Sequence, residues 1–202
     1  MIELGSGGLQ RREVVAVARA AEPVTLGASA REAMDASAAV VAGLVDAEPA
    51  SYGISTGFGS LALVRIPAES RGVLQRALVR SHAAGMGPSI EREVVRAMML
   101  LRARSLAMGF SGARPVLAQR MLELLNHDLI PRVPEHGSLG ASGDLAPLAH
   151  CALALIGEGE LETREGELRP AAEAMAAVGL DPVELAAKEG LALINGTDGM
   201  LG

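Results

Sequence analysis

The chain has 202 residues and a net charge of −6, and half of its residues are apolar although it holds only one tyrosine, two phenylalanines and no tryptophan. That length supports one sizeable core, and a composition rich in alanine, leucine and valine points to helix packed on helix. The acidic balance argues against nucleic acid or an anionic membrane as partner, no apolar run reaches spanning length without charges, and the single cysteine, Cys151, excludes a disulfide framework and suits a reducing cytoplasm.

Residues 1–27 are mixed, with a mostly apolar stretch at Val14–Ala21 and a possible strand at Val24–Leu26; no long apolar core follows a basic start, so no signal peptide is expected. Ala28–Ala47 predicts a helix, since Ala33, Ala36, Val40, Val41 and Leu44 recur at three- and four-residue spacing, and Glu48-Pro49 ends it. Ser51–Gly59 carries three glycines in seven residues and is read as a loop. It also holds Tyr52 and Phe58. A ring-bearing loop in a chain almost free of rings is either pinned by a packed tyrosine or carries function.

Ser70–Ala84 predicts a helix with Leu74, Leu78 and His82 on one face. By pattern alone His82 fits a core histidine with a satisfied partner better than a ligand-binding one. Gly85 and Gly87 break that helix, and Pro88 suits the first position of the next. Ile90–Met108 predicts a long apolar helix. Its Arg92, Arg96, Arg102 and Arg104 are expected on a solvated or intersubunit face, or in ion pairs. Gly109–Gly112 is a break. Pro115–Asn126 follows as a helix with Val116, Leu117, Met121, Leu124 and Leu125 as its buried stripe, and Pro131 and Pro134 stiffen the chain beyond it.

Gly137–His150 reads GSLGASGDLAPLAH, a glycine-rich loop running into a helix. Asp144 is placed to cap that helix through its carboxylate, and Pro147 falls early enough to cost no intrahelical bond. Leu145, Leu148, Cys151, Ala152 and Leu155 then keep helical spacing. The glycines run G-x-x-G-x-x-G, which fits neither dinucleotide nor mononucleotide phosphate loops. Taken by spacing only, the stretch is a loop and a capped helix. Leu161–Arg169 alternates around Glu165-Gly166 as a small exposed hairpin, Ala171–Val178 suits a short helix, and Asp181-Pro182 suits the start of another. Asn195-Gly196 marks a turn. His82, His127, His136 and His150 share no i, i+3 or i, i+4 spacing, so no helical metal site is expected. There is no G-x-S-x-G elbow.

The run GSLGASGDLAPLAH resembles the signature of the aromatic amino acid ammonia-lyases. In that family an Ala-Ser-Gly tripeptide cyclises on itself, which the resemblance maps onto Ala141, Ser142 and Gly143. The implied product is a protein-derived 4-methylidene-imidazol-5-one, with no external cofactor. The residue types suit the chemistry: the nitrogen of Gly143 attacks the carbonyl carbon of Ala141, where a side chain would crowd the turn. Ser142 loses its hydroxyl as water, leaving an exocyclic methylidene.

Three further stretches carry the same resemblance. Tyr52-Gly53-Ile54-Ser55-Thr56-Gly57-Phe58-Gly59 is similar to the family loop whose tyrosine is the catalytic base, which implies that role for Tyr52; Ser55 stands where many relatives carry asparagine. Ser81-His82-Ala83-Ala84-Gly85 is similar to a segment of the histidine-specific members, where the histidine meets the substrate's imidazole. Ile194-Asn195-Gly196-Thr197 is similar to the motif whose asparagine lies beside the cyclised tripeptide, which implies that place for Asn195.

The resemblance implies a mainly α fold, the N-terminal part of a long-helix lyase of the aspartase and fumarase type, with a small β-hairpin. It implies one lyase region over residues 1–202 carrying the electrophile loop. The C-terminal remainder of the enzyme is absent, so this length alone is expected to be inactive. The implied reaction is loss of ammonia from L-histidine to give urocanate, in a cytoplasmic enzyme that is a homotetramer at full length. A tyrosine or phenylalanine ammonia-lyase or aminomutase is the nearer alternative, and a non-catalytic helical scaffold the more distant one.

Overall fold

The structure is a computed structural model describing residues 1–202 apart from Ser6 and Ser142. At the amino end, β1 (Ile2–Leu4) runs parallel to β2 (Val24–Leu26), with α1 (Arg11–Ala20) between them in the chain. The expected strand is present, and its partner is a three-residue segment too short to carry a pattern. Helix α1 starts three residues before the apolar stretch does. The Glu13 carboxylate accepts the Gln10 N–H at 2.7 Å, and that bond opens the helix ahead of its hydrophobic residues. Helix α2 (Ala28–Leu44) begins where the spacing places it and ends three residues early.

The segment from Ser51 to Gly59 is a tight, largely irregular loop, followed by short 3-10 turns at Gly59–Leu61 and Ala68–Ser70. Helix α3 (Arg71–His82) then ends at His82 itself. The next segment corrects an expectation. Met86–Ser89 forms β3, antiparallel to β5 (Pro134–His136), so Pro88 lies in a strand and not at a helix start. The strand is exposed throughout, and an edge position tolerates proline's missing N–H.

Helix α4 (Arg92–Ala107) packs against α1, α2 and α5 (Pro115–Asn126), and is buried around most of its circumference. Of the expectations for its arginines the ion pairs hold, with Arg92 and Arg96 on Asp128 and Arg102 on Asp198, while the solvated face is corrected at two of them. Arg96 and Arg102 are buried, only 3% and 5% exposed. Helix α5 has the expected bounds, with Pro115 at its first turn. Its stripe holds at Leu117, Met121, Leu124 and Leu125 but not at Val116, which faces out; Pro115 and Ala118 are buried in its place. A leucine buried as completely as Leu117 contributes about 1.5–3 kcal/mol relative to exposure.

Beyond β4 (Ile130–Pro131) and β5, α6 (Leu145–Leu155) is buried along most of its length, Cys151 included. The expected hairpin is β6 (Glu160–Glu162) with β7 (Leu168–Pro170), turning at Gly166 with φ +80. It is less exposed than its charge suggests. Strand β4 pairs with β6 to make three strands, and Leu161 is fully buried. Helix α7 (Ala171–Ala177) follows.

No helix opens at Asp181-Pro182. The Val183 N–H is taken by Leu155 O at 2.9 Å, and the chain stays irregular until α8 (Glu189–Ile194). Helix α9 (Asp198–Leu201) closes the chain against α4. Mainly helical architecture is as expected. Among the described residues no helix is long and apolar enough to cross a membrane.

Candidate active site

Helices α3, α6 and α8 pack on one another, and each delivers one of the motifs. Helix α3 ends on His82, the glycine loop enters α6, and α8 leads into Asn195. Gln75 on α3 accepts the Gly190 N–H at 2.9 Å, fixing the start of α8. The buried Glu189 carboxylate fixes it a second time. It takes Arg114 Nε at 2.8 Å, Arg114 Nη2 at 2.7 Å and the Ala186 N–H at 2.7 Å.

The far end of α8 is held from α4. Arg102 Nη1 donates to Ala192 O and to Asn195 O, both at 3.2 Å, while Nη2 pairs with the Asp198 carboxylate. Arg102 and Asp198 are each 5% exposed. Cys151 lies in the same interior. Burial pushes its thiol up to about 12, with Asp198 adding and Arg102 opposing, so it stays a neutral, unreactive side chain.

The glycine loop is bent by Gly140 (φ +63) and Gly143 (φ +75), conformations that favour glycine. A Cβ on Gly143 would stand 3.7 Å from Asn195 Oδ1, so the carboxamide lies beside that backbone. Ser142, the middle residue of the tripeptide, lies outside the described residues; Ala141 and Gly143 on either side are exposed. Asp144 occupies the cap position of α6, but its carboxylate does not make the expected capping bond. It turns back to accept the Leu139 N–H at 3.1 Å and the Ser138 hydroxyl, and so holds the loop from its own base.

His82 is half-buried, with Nδ1 2.9 Å from Leu78 O. Ser81 Oγ also lies 3.0 Å from Nδ1; in the tautomer that donates Nδ1–H to the Leu78 carbonyl, Nε2 is left as an acceptor. The segment just after His82 meets the glycine loop directly. A Cβ on Gly137 would come within 3.0 Å of Gly85 Cα, and the Gly85 N–H donates to His150 Nε2 on α6 at 3.1 Å. Burial, and next the Arg132 cation, hold the His150 imidazole below its usual range; it is neutral and free to accept.

Tyr52 joins this group through its loop. A Cβ on Gly53 would lie 3.5 Å from Leu191 Cδ2 on α8. The Tyr52 ring is 56% exposed, meets Phe58 edge-on at 6.2 Å and 84°, and accepts the Gly59 N–H at 3.5 Å. The structure thus brings Gly143 and Asn195 together and seats the His82 and Tyr52 segments on the same helices. It leaves the Tyr52 ring open on the surface.

Sequence reasoning did not single out Arg102, Asp198, Glu189 or His150. Arg102 did carry a signal. It interrupts the apolar run Met98-Met99-Leu100-Leu101 on a helix with few polar faces, and a charge so placed needs a partner.

Comparison with known proteins gives the chain's family and fold relatives. The model of the family described as "Aromatic amino acid lyase" matches residues 9–202. Histidine ammonia-lyase of Streptomyces griseus is 56% identical over 201 residues, and that of Deinococcus radiodurans 50% over 189. These alignments take in 100% and 94% of this chain but 39% and 36% of the relatives, so the chain spans well under half their length. Among solved structures, histidine ammonia-lyase from Trypanosoma cruzi superposes with TM-score 0.89 at 35% identity, covering 98% of this chain and 38% of that one. Tyrosine aminomutase from Streptomyces globisporus gives 0.90 at 37%, covering 98% and 37%.

Proposed function

The chain belongs to the aromatic amino acid lyase family, and on that premise we propose that residues 1–202 are the amino-terminal region of an enzyme that eliminates ammonia from L-histidine to give urocanate. The observation that carries the reading is the Asn195 carboxamide beside Gly143. Relatives named as histidine ammonia-lyases, 50–56% identical, support histidine as substrate.

The proposed electrophile is a 4-methylidene-imidazol-5-one made from Ala141, Ser142 and Gly143. The residues present fit it. Gly143 is exposed with a left-handed φ, and a Cβ built on it would meet only the Asn195 oxygen, at 3.7 Å, so its surroundings leave room for the turn a ring needs. When formed, this group supplies an electrophilic carbon for the substrate's amine, which none of the twenty side chains offers.

The other roles fall to residues with suitable chemistry. Tyr52 carries a phenol on an open loop, and its deprotonated oxygen takes the substrate's β-proton, becoming the phenol, as the amine departs as ammonia. Asn195 holds substrate or electrophile by hydrogen bonds. His82, in the tautomer whose Nδ1–H is given to Leu78 O, presents Nε2 as an acceptor to the imidazole N–H of bound histidine. Leu63 and Leu139 are 97% and 89% exposed near these loops, which supports cover from the rest of a longer subunit and from further copies in a homotetramer. The single buried cysteine suits a cytoplasmic enzyme.

The test is turnover by the full-length enzyme on histidine, tyrosine and phenylalanine, with Ser142→Ala beside it. Wild type should favour histidine, and its intact mass should be two waters below the sequence mass. The variant has no hydroxyl to eliminate, so it should fold, keep its full mass and show less than about a hundredth of the activity. Preference for tyrosine or phenylalanine, or a fully active variant, overturns the reading.

A further inference from the structure

We infer that Arg102 and Asp198 form a buried clamp that sets the Asn195 carboxamide against Gly143, making Arg102 a positioning residue for the reaction; this rests on the function proposed above. Three observations carry it. Arg102 reaches from the core helix α4 to two carbonyls at the end of α8, Ala192 O and Asn195 O, each 3.2 Å from Nη1. These groups are what a helix C-terminus leaves without intrahelical partners, and a cation there is favourable. The second fork of the guanidinium pairs with Asp198, three residues past Asn195, so the turn is gripped on both sides.

The third observation is Gly196. A Cβ there would overlap Arg102 Nη2 and the Asp198 carboxylate, so the turn accepts only glycine while the clamp is closed. A pair buried to 5% exposure is a costly way to fill space, since apolar residues of similar volume are often as stable or more so. What apolar residues cannot supply is a fixed register for two carbonyls and the carboxamide between them. Arg102 touches no reacting atom in this scheme and acts through Asn195.

The experiment is a double-mutant cycle on the full-length enzyme, combining Arg102→Lys with Asn195→Ala and reading kcat, KM, melting temperature and intact mass. Lysine can pair with Asp198 but cannot bridge both carbonyls. Arg102→Lys should lower kcat about ten- to a hundredfold with little change in KM and complete loss of two waters, as expected for a misplaced group at a site otherwise formed. In the Asn195→Ala background the same change should cost nothing further, because the group it positions is gone.

An equal fold-loss in both backgrounds would make Arg102 merely structural and overturn the inference while leaving the site intact. Full activity in Asn195→Ala alone would instead overturn the proposed site. Should Arg102→Lys fail to fold, the charge-free pair Arg102→Met with Asp198→Leu keeps the volume, and the same loss of additivity is expected from it. Gly196→Ala should reproduce the kcat loss with Arg102 still present, and normal turnover in that variant would also refute the clamp.

Discussion

Replacing Asp144 by alanine should loosen the glycine loop while leaving its sequence intact. The carboxylate is 4% exposed and accepts the Leu139 N–H at 3.1 Å together with the Ser138 hydroxyl. Hydrogen bonds to a charged group contribute about 1.5–3 kcal/mol each, which would put both near 3–6 kcal/mol. The discount is large, because Leu139 and Gly140 are exposed and water replaces the lost acceptor for a loop free to relax. About 2–4 kcal/mol remains, paid mostly by the loop and little by α6, whose core contacts are untouched. Two measurements on the full-length enzyme separate these parts. Thermal denaturation should move by a few degrees, while intact mass should reveal a fraction that has not lost two waters, since ring closure needs the bent loop. Asp144→Asn keeps one oxygen for the Leu139 N–H and should fall between. Wild-type melting and complete water loss in Asp144→Ala would refute the assignment of Asp144 as the loop's anchor.

Tyr52→Phe keeps the ring that meets Phe58 and removes the hydroxyl, so kcat should drop by roughly a hundredfold or more with KM little changed; a raised KM with normal kcat would make Tyr52 a binding residue. His82→Leu removes the Nε2 acceptor, so the kcat/KM ratio of histidine to phenylalanine should fall, by about tenfold or more; an unmoved ratio would reduce His82 to a packed residue bonded to Leu78 O. Because burial holds His150 below the imidazole range, the unfolded chain takes up the proton first as pH falls. The stability from neutral His150 is whole above pH about 6.5 and declines below it, until the folded ring also titrates and the Gly85 bond is lost. His150→Gln should flatten the melting temperature between pH 7 and 5, and an unchanged slope would rule His150 out.

Where the sequence was legible, one signal dominated locally. Helix α5 has the bounds read from its pattern because proline at the first turn and an apolar stripe of period 3.6 agree. The glycine loop and α6 were legible for the same reason. Misreadings arose where a distant partner decided the outcome. Pro88 suits a helix start by itself, but β5 draws Met86–Ser89 into a strand. Asp181-Pro182 also suits one, but Leu155 O claims the Val183 N–H. Asp144 has the ideal side chain for a cap, yet Ser138 and Leu139 take its carboxylate, a competition set by the loop's fold and invisible to spacing. At the candidate site the same division holds. Tyr52, His82, Asn195 and the tripeptide stand in motifs, whereas Arg102, Glu189 and His150 reach partners 93, 75 and 65 residues away in the chain.

The arginines of α4 show why charge pattern left solvent and ion pairs both open, and what decides between them. Arg96 donates through Nε to Val17 O at 3.0 Å and through Nη1 to Leu125 O at 3.3 Å, and pairs with Asp128 at 2.7 Å. Val17 lies in the last turn of α1 and Leu125 in the last turn of α5. Arg102 does the same for Ala192 and Asn195 at the end of α8. Two buried guanidinium groups on one central helix thus donate to carbonyls in the last turns of three others. Each grip also places a cation at the negative end of a helix. An isolated pattern assigns arginine to solvent because most arginines are there. The helix ends assign two of them inside, since Arg96 meets carbonyls in the last turns of α1 and α5, and Arg102 meets those at the end of α8. Five N–H donors in a rigid fork can reach two chain segments at once, which lysine cannot. The consequence for the site is directional: a largely buried core helix holds the Asn195 turn, which the exposed glycine loop faces at Gly143.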